Sequence, residues 1–85
     1  MDGKGIVPRY YFNVFDGHSQ RDDLGTELPG SEQARREVVR LAGQVISDNA
    51  QRIVLGAGWH LEVRDELGAL VTRLDLVVEA QAKAA

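Results

Sequence analysis

Between Ser31 and about Asn49 the chain carries its only stretch of helical periodicity long enough to cover a sheet. Ala34, Val38, Leu41, Ala42, Val45 and Ile46 recur at spacings of three and four. A helix therefore sets them on one broad apolar stripe and leaves Gln33, Arg36, Arg40, Gln44 and Ser47 to water. This is the pattern of a helix lying on a small domain with one face turned to the core. Pro29-Gly30-Ser31 marks its start, a turn followed by a hydroxyl able to accept from the orphan amides of the first turn, with Glu32 well placed for the helix dipole. Toward its end, Asn49 tolerates the left-handed cap conformation, but Ala50 and Ile53 continue the stripe, and the firm stop comes only at Gly56-Ala57-Gly58.

On either side the chain reads as strands and turns. Tyr10, Phe12 and Val14 alternate with Tyr11, Asn13 and Phe15, a strand with large side chains on both faces, ended by the turn residues Asp16-Gly17. His18 to Asp23 reads as a polar loop, and a short strand is expected at Gly25 to Leu28, closed by Pro29, which has no amide to give a ladder. After the helix, Trp59, Leu61 and Val63 alternate with His60, Glu62 and Arg64, a one-sided strand. Asp65-Glu66-Leu67-Gly68 then supplies a four-residue hairpin connection with a bulge, in which Gly68 takes a positive φ. The return strand sets Leu70, Thr72, Leu74, Leu76 and Val78 on one face and Val71, Arg73, Asp75, Val77 and Glu79 on the other. The order β-β-α-β-β predicts an α+β domain, one amphipathic helix packed on a small antiparallel sheet, with Leu41 and Val45 facing Phe12, Leu61 or Val63.

Eighty-five residues make one domain, read here as residues 8–80, with a disordered leader at 1–7 and a frayed tail at 81–85. A chain of this size buries roughly 60% of the surface its unfolded form exposes, so its core is small. Cysteine is absent, which removes disulfides, thiolate metal sites and cysteine nucleophiles, and makes the cytoplasm the expected compartment. No apolar run approaches a membrane span, and residues 1–7 lack the apolar region of a signal peptide. The formal charge of −3 speaks against a surface that tracks a phosphate backbone as a whole.

Few residue constellations suggest chemistry. Asp16 and Glu27 stand at the first and twelfth positions of a calcium-loop spacing, but His18, Gln20 and Arg21 occupy places that the loop reserves for acids and glycine. His18 with Asp16 or Asp22 makes a poor metal site on a loop without supporting groups, so no metal is expected. Gly56-Ala57-Gly58 precedes a strand instead of opening a helix, and His60 lacks a recognisable nucleophile nearby, so neither a cofactor nor an enzyme is expected. Arg35, Arg36 and Arg40 form a candidate basic patch, but Glu32 and Glu37 are interleaved with them at helical spacing.

Pro8-Arg9-Tyr10-Tyr11-Phe12, Asp16-Gly17, Asp23-Leu24-Gly25-Thr26-Glu27-Leu28 and Glu62-Val63-Arg64-Asp65-Glu66 with Gly68 together resemble a family of small proteins. These occur mostly in rhizobia and related alphaproteobacteria and form a domain of unknown function. The resemblance runs from about Pro8 to Val78. It implies no activity, so it carries no functional residues onto this chain.

The expectation is a small structural or protein-interaction module that self-associates, the alternative being a regulatory domain that binds nucleic acid or a small ligand. One helix covers one side of a sheet, yet Tyr11 and Phe15, with Val71 and Val77, give the strands apolar groups on the other. Such a set is the expected interaction face, and a homodimer follows, formed through open sheet faces or through the edges of the last strands. A further protein partner is left unidentified, nucleic acid is disfavoured and no membrane is involved.

Overall fold

A computed structural model describes residues 7–16, 19–51 and 58–79. The elements are β1 (Arg9–Phe15), β2 (Ser19–Gln20), β3 (Thr26–Glu27), α1 (Ser31–Asp48), β4 (Trp59–Arg64) and β5 (Leu70–Leu76). All five strands form one antiparallel sheet in the order β2-β1-β4-β5, with β3 pairing β1 further along the same edge as β2. The α+β reading holds, with one strand more than expected. Ser19–Gln20, read as part of a polar loop, pairs with Val14 and Phe15, because two residues of ladder require no hydrophobic alternation to form. The expected leader as far as residue 6, the expected tail, His18 and the glycine-flanked connection through Ala57 lie outside the described residues.

The helix lies across β4 and β5. Its fully covered positions are Ala34, Val38 and Ala42, spaced by four, and these meet Tyr10, Leu61 and Val63 in the core. Small residues at the line of closest approach let the helix sit low on the sheet, and the larger Leu41 and Val45 fill the margin as half-buried side chains packed on the same cluster. Ile46, read on the stripe, is 38% exposed.

Both helix ends differ in detail from the sequence reading. Gly30, in fully extended backbone, is the residue before the first turn; its carbonyl accepts from the Ala34 amide at 3.1 Å, and Ser31 is already helical, so its hydroxyl does not cap. Asn49 ends the helix without entering the left-handed region (φ −121°); its side-chain amide instead donates to the Val45 carbonyl at 2.7 Å.

The β4–β5 hairpin closes as expected. Gly68 has φ +84°, and the Asp65 carboxylate accepts from the amides of Leu67 and Ala69, both at 2.9 Å. Val63 lies opposite Thr72 and Arg64 opposite Leu70, so Val71 is an extra residue in β5, a bulge. One added residue reverses the alternation before it. Val71 therefore packs toward the core and leaves the face on which strict alternation had set it.

Candidate interaction surface

Strand register arranges the side of the sheet away from the helix into three cross-strand rows. Phe15, His60 and Asp75 form the first, Asn13, Glu62 and Arg73 the second, and Tyr11, Arg64 and Leu70 the third. The four residues of the expected interaction face do not all lie together. Tyr11 and Phe15 do share this face, but Asn13 and Glu62 stand between the rows they head. Val71 lies on the other side, and Val77 follows the end of β5, 64% exposed. The surface is an alternation of aromatic and polar groups, not a continuous apolar patch.

Its centre is a buried polar network. Asn13 and Glu62 are 5% and 6% exposed, and the Asn13 side-chain amide donates to Glu62 Oε2 at 3.1 Å. Arg64 approaches the same carboxylate with Nε at 3.0 Å and Nη2 at 3.2 Å, and its Nη1 reaches the Gly68 carbonyl at 2.8 Å, tying the row to the hairpin turn. The Arg64 hydrogen bond, helped by Asn13, outweighs the cost of burial and holds the Glu62 carboxyl below the usual carboxylate range. Phe15 and His60 stack with ring centroids 4.3 Å apart.

The two long edges of the sheet are finished differently. Along β1 the strands β2 and β3 cover both ends, and between them the Asp22 side chain takes the place of a ladder partner. Asp22 Oδ2 accepts the Phe12 amide at 3.1 Å, Oδ1 accepts those of Gly25 and Leu24 at 2.9 and 3.1 Å, and Asn13 Oδ1 accepts the Asp22 amide at 2.9 Å. Burial disfavours the charged form of Asp22, but the amides of Gly25, Phe12 and Leu24, with nearby Arg9, prevail and keep its carboxyl below the usual range. Glu27, the last position of the calcium-loop spacing, pairs with Arg9 at 2.9 Å. The opposite edge has no such closure: among the described residues β5 pairs only with β4. Its two charged residues, Arg73 and Asp75, bond each other through Nε at 3.1 and 3.0 Å and Nη2 at 2.9 Å.

The arginines of the helix are partly paired with neighbouring acids. Arg36 pairs with Glu32 at 3.0 Å and Arg40 with Glu37, while Arg35 makes no ion pair among the described residues. On the helix side of β1, Phe12, Val14 and Leu41 line a groove of about 380 Å³ together with Gln20, Arg21, Asp22, Thr26 and Glu37. No helix is long and apolar enough to cross a membrane, and no group of three or more potential metal ligands occurs, both among the described residues.

The described residues form an α+β domain of one helix on an antiparallel sheet, with a polar-aromatic open face and a β5 edge that has no strand partner among them. The chain belongs to a family described as a domain of unknown function, DUF6894, whose sequence profile matches residues 9–77. No curated protein and no solved structure matches it.

Proposed function

We propose that this domain is a non-catalytic, cytoplasmic protein-interaction module that self-associates as a homodimer through the free edge of β5. The observation that carries this reading is the contrast between the two edges. The β1 edge is closed by two short strands and a carboxylate that accepts the amide left between them, whereas β5 exposes a seven-residue strand without proline or lysine. An uncovered edge templates pairing with another strand, and the two charges on this one, Arg73 and Asp75, are of opposite sign, so they do not repel a second copy as a like-charged edge would. A chain of this length without cysteine also gains stability by burying surface against a second copy. Between the two routes to a dimer, edge pairing is the better supported, since Arg64, Arg73 and Asp75 leave charge exposed across the open face, which packing flat on itself would bury.

Light scattering over a dilution series tests this. The expected mass is twice the 9.3 kDa of the chain at high concentration, falling toward the single-chain value on dilution. A mass that stays at 9.3 kDa up to about millimolar concentration, where even a complex with a Kd near 1 mM would be visible, sinks the reading.

A further inference from the structure

We infer that the dimer has one register, a two-fold axis at Leu74 that sets Arg73 of each chain opposite Asp75 of the partner subunit; this rests on the edge-pairing reading above. In an antiparallel pair related by a two-fold axis, a residue n positions before the axis faces the residue n positions after it in the other copy. Two independent features select Leu74 as the centre. The first is geometric. The bulge at Val71 makes the start of β5 irregular, and the regular remainder, Thr72 to Leu76, has Leu74 at its midpoint.

The second feature is charge. Arg73 and Asp75 flank Leu74, so this axis alone places each against its opposite within the strand. An axis at Arg73 would set guanidinium against guanidinium, and one at Asp75 carboxylate against carboxylate, both repulsive. An axis at Leu76 would match Arg73 with the partner's Glu79, but it would draw residues 77–79, which lie outside β5, into the ladder.

With the axis at Leu74 the remaining pairs are compatible as well. Leu74 meets the partner's Leu74, and Thr72 meets the partner's Leu76, all on the helix side of the sheet. Arg73 and Asp75, already bonded to each other within one chain, become half of a four-charge square on the open face. The two sheets then join into one, with both helices on the same side.

The absence of cysteine makes the test clean. Single variants R73C and D75C are prepared separately, mixed, and oxidised mildly, and disulfide-linked dimer is quantified. In the inferred register the thiol introduced by R73C in one chain lies directly opposite the thiol introduced by D75C in the other, and the unchanged Asp75 and Arg73 still face each other. The mixture should therefore give several-fold more linked dimer than either variant alone, because like positions lie diagonally, at roughly 7–8 Å, beyond easy disulfide reach. Linked dimer forming as readily from R73C alone or D75C alone overturns the register while leaving the edge-pairing reading intact, provided that the wild type scatters as a dimer.

Charge reversal supplies a readout without cysteine. R73D should weaken association about tenfold or more by setting carboxylate against carboxylate, and adding D75R to it should restore the wild-type mass. Equal masses for R73D and the double variant would contradict the register. A wild type that is monomeric throughout would remove both the register and the reading on which it rests.

Discussion

Gly25→Ala is expected to lower stability by much more than Gly68→Ala, although both glycines have positive φ, +74° and +84°. Each substitution forces alanine into left-handed backbone, at a cost of about 1–2 kcal/mol. The surroundings then separate them. A Cβ on Gly68 meets nothing within 4 Å. One on Gly25 would come within 2.7 Å of Arg9 Cγ and 2.9 Å of Tyr11 Cε2. Relieving those contacts moves the Arg9 stem and the Tyr11 ring, an overpacking cost of about 1–3 kcal/mol in addition to the backbone strain. Urea midpoints measured at one protein concentration check the order. Equal midpoints for the two variants would mean that the segment from Arg21 to Gly25 is not held against β1 as described.

Asp22→Ala is expected to be comparably damaging, and its signature is a change in acid sensitivity. The substitution leaves the Phe12 amide, which sits between the β2 and β3 pairings, without an acceptor and also releases the amides of Leu24 and Gly25. Loss of a charge-assisted bond of this kind costs about 1.5–3 kcal/mol, with the part-buried Phe12 amide bearing most of it. The sign of the pH effect follows from the depressed carboxyl of Asp22. A group whose pKa is lower in the folded state contributes stability that is fully present above its unfolded pKa, near about 3.9, and is lost as pH falls through the folded value. Glu62, also depressed, acts in the same direction. Wild-type stability should therefore fall below about pH 4, and Asp22→Ala should start lower at neutral pH and fall less steeply. Parallel pH profiles for the two proteins would show that Asp22 carries no such stabilisation.

Gly68 and Asp22 also mark where the chain is legible as sequence and where it is not. The helix could be read because spacings of three and four leave one physical solution, and β4 because Trp59, Leu61 and Val63 alternate with polar residues on one side only. Gly68 was readable from turn chemistry within four residues. Asp22 was not, because its partners at Phe12 and Asn13 lie about ten residues away and nothing local distinguishes a carboxylate that completes a sheet edge from one in water.

The open face was half legible for a related reason. Alternation placed Tyr11, Asn13 and Phe15 together, but that Asn13 and Glu62 are buried as a pair depends on the β1–β4 register, and Val71 changes side through a single bulge residue. The helix cap moved from Ser31 to Gly30 because one residue of extended backbone precedes the first turn, a shift too small for the pattern Pro-Gly-Ser to resolve.

The free edge of β5 can be probed residue by residue through amide hydrogen exchange at two protein concentrations about a hundredfold apart, straddling the dissociation midpoint. Amides within Thr72 to Leu76 that point away from β4 are expected to exchange more slowly in the concentrated sample, while those along β1, already bonded to β2, β3 and Asp22, exchange alike in both. Protection in β5 that is the same at both concentrations, or a concentration effect confined to β1, would contradict pairing through the β5 edge.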